Sequence, residues 1–144
     1  GSRALLALDE NMAREQVKEM CAKVLSNRKP PYSLKGGLYD ALVATGGDMF
    51  LATNEEAMEA KALFEQLEGI DIEPAAAVAL ASLMQCVRER RVEEDAVIML
   101  NITGGGIARY KKEFNPVMQK PDLVFPVNPN PEMVKEKVRE LIGK

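Results

Sequence analysis

Ile98-Met99-Leu100-Asn101-Ile102-Thr103-Gly104-Gly105-Gly106 is the stretch on which the reading of this chain turns. The run Ala96 to Ile102 shows no alternation of apolar and polar residues, which suits a parallel strand buried on both faces. Thr103 and three glycines end it, and a basic, aromatic segment follows: Arg109, Tyr110, Lys111, Lys112. Glycines at a strand's carboxyl end remove the Cβ that keeps a ligand away from the backbone. In open α/β sheets, ligands bind at those ends. A tight, solvent-exposed turn accounts for the same residues, and the run alone leaves both readings open.

Working outward, helical and extended patterns alternate. Asp71-Ile72-Glu73-Pro74 starts a helix with Pro74 at its first position, and Ala75 to Val87 is apolar enough to be buried on most sides. Upstream, Thr53-Asn54-Glu55-Glu56 is a capping-box signature. It opens a helix with Ala60, Leu63, Phe64 and Leu67 on one face, ending at Gly69. Asp48 to Ala52 reads as a short strand. Leu34 to Val43 reads as a short helix stopped by Gly46-Gly47. The prolines in Ser26 to Ser33 make that segment a loop. Asp9 or Asn11 caps a first helix carrying Met12, Val17, Met20, Cys21, Val24 and Leu25. Downstream, Leu123-Val124-Phe125 reads as an edge strand ended by Pro126. Asn130-Pro131 opens a last amphipathic helix with Met133, Val134, Val138, Leu141 and Ile142 apolar. The expected class is α/β, a mostly parallel sheet flanked by helices, in one domain over residues 3–144. Gly1-Ser2 reads as a tag remnant.

Composition narrows the chemistry. With 144 residues and 47% hydrophobic content the chain can bury a core. A net charge of −3 gives no basic face for nucleic acid. No apolar run approaches the about 18 residues of a membrane span. Histidine is absent, which removes His-based acid–base chemistry, Ser–His or Cys–His nucleophiles and most zinc sites. No metal site is expected. Cys21 and Cys86 sit on apolar helical patterns and read as core thiols in a reducing cytoplasm.

Three segments taken in order resemble one family: the capped helix 54–68, Asp71-Ile72-Glu73-Pro74-Ala75-Ala76-Ala77, and Leu100-Asn101-Ile102-Thr103-Gly104-Gly105-Gly106. A helix start of the form Glu-Pro-small-small-Ala, then a strand closing in Thr/Ser-Gly-x-Gly, is similar to the carboxyl-terminal part of fold-type II pyridoxal phosphate enzymes, the group of threonine synthase and the tryptophan synthase β chain. Within it, Val24 to Ser33 and Gly36-Gly37-Leu38-Tyr39-Asp40-Ala41-Leu42 most resemble the archaeal cysteate synthases of coenzyme M biosynthesis. The resemblance covers most of residues 4–142.

What the resemblance implies is specific. Pyridoxal phosphate is the cofactor, an electron sink for a carbanion at the substrate Cα. Thr103 falls where a hydroxyl faces the ring nitrogen, Gly104, Gly105 and Gly106 let the backbone pass near the ring, and Glu73 sits beside it. On residues alone, Thr103 is equally a strand-end turn residue, and Glu73 equally the N-cap of the helix it precedes. Where relatives carry a bulkier residue between glycines, this chain has Gly105. The substrates implied are O-phosphoserine and sulfite, with L-cysteate and phosphate as products. Asn27, Arg28, Tyr32 and Lys35 form a donor-rich loop suited to the substrate phosphate, or a solvated surface loop. The Schiff-base lysine and the glycine-rich phosphate loop belong to the amino-terminal half of such enzymes. The chain thus reads as a carboxyl-terminal fragment of a transferase, with no catalytic residue of its own, inactive alone, and partnered by the missing half. A homo-oligomer is compatible with this. The alternatives are threonine synthase, acting on O-phosphohomoserine, and a non-catalytic α/β module binding an anion or nucleotide at the glycines.

Overall fold

Two helices pressed together through alanines form the core of the larger of two units. The structure, a computed structural model, describes residues 9–27, 31–117 and 119–143. Its elements in order are α1 (Glu10–Glu19), a 3-10 turn (Lys23–Leu25), α2 (Leu38–Thr45), α3 (Asn54–Glu68), α4 (Pro74–Arg88), α5 (Ile107–Phe114) and α6 (Pro131–Ile142). They fall into two compact units, Gly1–Glu113 and Phe114–Lys144.

In the first unit, α3 begins with the expected capping box. The Thr53 hydroxyl accepts the Glu56 N–H at 3.1 Å, and the Glu56 carboxylate accepts the Thr53 N–H at 2.8 Å. Gly69 ends the helix in the left-handed region at φ 71°, a conformation that costs glycine nothing. Residues 69–73 lead directly into α4, which packs along α3. The seam is made of small side chains: Ala57, Ala60, Ala76, Ala77 and Ala81 are all buried. Alanine lets two helix backbones approach closely but contributes little apolar area per residue. Ile72, 2% exposed, is the largest fully buried side chain among the described residues. It joins Ala76 and Ala77 in a cluster flanked by Phe64, Leu80 and Ile102.

The α/β expectation is overturned. Among the described residues there is no strand and no sheet, only one isolated antiparallel bridge, between Ile72 and Gly105. Segments 48–52, 96–102 and 123–125 form no strand, and several of their apolar residues are exposed: Leu51 is 90% exposed and Met99 95%. The cause is non-locality. A strand is stable only when neighbouring strands satisfy its N–H and C=O groups and cover its faces. The apolar pattern of Ala96 to Ile102 signals a demand for burial but carries no partner with it. Cys21 and Cys86 are free thiols and only half-buried, not core residues.

Arg91 fastens the 48–52 segment. Its guanidinium donates to Asp48 at 2.8 Å and lies 4.5 Å over the Phe50 ring. The ion pair and hydrogen bond hold the Asp48 carboxyl below its ordinary range. In the second unit, the Asn130 side chain accepts the Glu132 N–H at 2.9 Å and caps α6, with Pro131 in the first turn as expected.

Candidate functional site

The glycine run is stitched to the start of α4 by backbone hydrogen bonds. Glu73 N–H donates to the Gly104 carbonyl at 2.9 Å, and Gly106 N–H donates to the Asp71 carbonyl at 2.7 Å. Between them Gly105 lies against the 71–72 backbone: a Cβ there clashes with the Asp71 carbonyl oxygen and falls 3.0 Å from Ile72 Cα. Gly105 is therefore small because another stretch of this chain passes beside it. The left-handed glycine of the run is its neighbour Gly106, at φ 74°.

Asp71 completes the fastening. It is 9% exposed, and its carboxylate accepts the Ala108 N–H at 3.1 Å. This caps α5 from a distant part of the chain, where Gly106 has no side chain to do so. The Ala108 N–H, helped by that of Arg109, holds the Asp71 carboxyl below 3.8 against an opposing push from burial. A depressed folded-state value means that the charge stabilises the fold fully above the unfolded value and that this contribution fades as pH falls through the folded one. Asp71→Asn is thus expected to lower the urea midpoint at pH 7, with the gap to the parent closing as the pH is taken below 3.8. A gap that stays constant across that range sinks the assignment.

The stitch brings Glu73, Thr103 and Gly104 onto one wall. They line a cavity of about 330 Å³ together with Pro74 and Ala75 from α4 and Cys21, Ala22, Lys23 and Val24 from the segment after α1. Glu73 occupies the N-cap position of α4 but its side chain makes no capping bond. Instead it runs over Gly104, where an added Cβ would sit 3.2 Å from Glu73 Cγ. A free hydroxyl, a carboxylate not spent on the helix cap and a stretch without Cβ fit one edge of a pyridoxal ring. The described residues contain no group of three or more metal-ligating side chains, and no helix among them is long and apolar enough to cross a membrane.

The 26–35 loop, expected to hold the substrate phosphate, is described only in part. Arg28 is outside the described residues. Asn27 and Lys35 are exposed. Tyr32 forms an edge-on pair with Tyr39, ring centroids 5.8 Å apart, and lines a separate cavity of about 360 Å³ with Leu42, Val43 and Gly46. None of Asn27, Tyr32 and Lys35 lines the Thr103 cavity. Cys21 and Lys23, which do, were missed by sequence reasoning. Nothing in their local pattern signals the fold-back that places them there.

No family model matches the chain. Curated proteins do. The chain is 54% identical over 116 residues to cysteate synthase of Methanosarcina mazei, covering 81% of this chain and 28% of that protein. It is 56% identical over 107 residues to cysteate synthase of Methanosarcina barkeri, covering 74% and 26%. It is 47% identical over 132 residues to cysteate synthase of Methanosarcina acetivorans, covering 92% and 31%. The chain thus spans less than a third of the length of the curated relatives it matches. The glycine stitch, the uncommitted Glu73 and Thr103 accordingly stand in a sequence similar to one segment of these cysteate synthases.

Proposed function

We propose that this chain is the carboxyl-terminal part of a pyridoxal-phosphate-dependent β-replacement enzyme, a cysteate synthase that converts O-phosphoserine and sulfite to L-cysteate and phosphate for coenzyme M biosynthesis. The supporting observation is the pinned wall of Thr103, Gly104 and Glu73 in a chain about half identical to cysteate synthases. Pyridoxal phosphate, when bound, supplies the electron sink for carbanion chemistry at Cα.

The roles of this chain's residues follow from their chemistry. Thr103 Oγ1 offers the ring nitrogen a neutral hydrogen bond and no charge, so that nitrogen stays unprotonated. The Gly104 backbone gives the ring edge room, because no Cβ intervenes. Glu73 borders the same edge. The chain lacks a lysine in the context that bonds the cofactor, so the remainder of the enzyme supplies that group and the chain alone turns nothing over. That remainder also covers the exposed Leu51, Val97 and Met99. The half-buried free thiols accord with a reducing cytoplasm.

Product analysis on the intact enzyme tests this. Sulfite-dependent release of phosphate from O-phosphoserine, with L-cysteate formed in equal amount, is the expected result. Phosphate release from O-phosphohomoserine with threonine formed, and no reaction of phosphoserine, overturns it in favour of threonine synthase.

A further inference from the structure

We propose that Lys23 is the oxyanion-binding residue of the Thr103 cavity. It takes the charged oxygens of a phosphate ester or of sulfite that enters beside Glu73 and Thr103. The inference rests on the reading of that cavity as the reaction site and adds to it a specificity residue outside the 26–35 loop.

Lys23 is the sole cationic residue lining the cavity among the described residues, and Glu73 the sole carboxylate. No ion pair joins the two. The backbone that carries Lys23 is anchored. Asn54, the first residue of α3, accepts the Cys21 N–H on Oδ1 at 2.9 Å and donates from Nδ2 to the Glu19 carbonyl at 2.9 Å. One side chain thereby grips the 19–21 segment by both a donor and an acceptor. Ala22 is buried next to it, and the 3-10 turn Lys23–Leu25 packs on α4. The root of Lys23 is held on a segment that lines the same cavity as Thr103 and Gly104, while its four-carbon stem lets the ammonium reach toward an anion.

The chemistry of the site suits a compact oxyanion. An ammonium is a compact point charge with three rotatable donors, able to serve a pyramidal or tetrahedral oxyanion. Ala22, Val24, Pro74 and Ala75 make much of the remaining wall apolar.

The test is lysine acylation of the intact, cofactor-loaded enzyme, read at each lysine by mass spectrometry with Lys18 and Lys61 as internal controls. Saturating O-phosphoserine or inorganic phosphate is expected to slow labelling of Lys23 about fivefold or more and to leave the controls unchanged. Protection by sulfite with none by phosphate also supports the proposal and assigns Lys23 to the nucleophile. Equal labelling of Lys23 with and without all three anions overturns it. In steady-state kinetics, Lys23→Gln is expected to raise KM for the protecting substrate about tenfold with kcat little changed, and Lys23→Arg to regain part of the loss. A fall in kcat with KM unchanged overturns the proposal. An enzyme that turns over neither phosphoserine nor sulfite sinks the proposed function, and protection by inorganic phosphate still decides the role of Lys23.

Discussion

Gly105→Val is expected to unfold the glycine stitch, with a loss of about 3 kcal/mol or more. The added carbon meets the Asp71 carbonyl oxygen and Ile72 Cα, both backbone atoms that cannot swing aside. Relief requires the 103–106 segment to move away from 71–73. That breaks the Glu73–Gly104 and Gly106–Asp71 hydrogen bonds and pulls Ala108 off Asp71. Gly105→Ala is expected to do nearly as much, because the first carbon makes the clash. Gly104→Ala is the control. There the neighbour is the Glu73 side chain, which can shift by a few tenths of an ångström, and a cost of about 1 kcal/mol or less is expected. Urea midpoints of the three variants give the comparison. A Gly105→Val protein as stable as the parent, yet unable to hold the cofactor, would mean that the space at Gly105 serves the ring and not the chain.

The second large effect falls on turnover. Thr103→Val in the intact enzyme is expected to lower kcat about ten- to a hundredfold, as the loss of one hydrogen bond of about 1–3 kcal/mol to the cofactor implies. Stability should move by no more than about 0.5 kcal/mol. Thr103 is exposed and its hydroxyl makes no hydrogen bond among the described residues, so valine keeps the β-branched shape and removes no contact seen there. Unchanged kcat takes Thr103 out of the site, and a collapse in stability assigns its hydroxyl to the fold.

Local signals in the sequence translated well into local structure. Thr53 and Glu56 form the capping box their spacing predicts, and Pro74 and Pro131 each stand in the first turn of a helix. The three runs read as strands failed for the opposite reason: an apolar run such as Val97 to Leu100 states how much surface needs covering, while strand pairing depends on residues far away in the chain. The site divides along the same line. The motifs single out Thr103 and Glu73 as candidates. Their proximity depends on a long-range bridge through Gly105, and the presence of Lys23 depends on the grip of Asn54 across more than thirty residues. The role of Glu73 as a helix cap was a fair reading of its position, but its side chain leaves the helix amides and lies over Gly104.

The stitch separates scaffold from chemistry. Main-chain atoms of Asp71, Glu73, Gly104 and Gly106 carry it, and the absence of one Cβ at Gly105 permits it. Neither the Glu73 carboxylate nor the Thr103 hydroxyl contributes to it. The chain can therefore exchange the functional groups at 73 and 103 without moving the atoms that present them. A framework of this kind is tolerant at the side chains of 73 and 103 and strict in its glycine, so each of the two positions can be varied on a wall already in place.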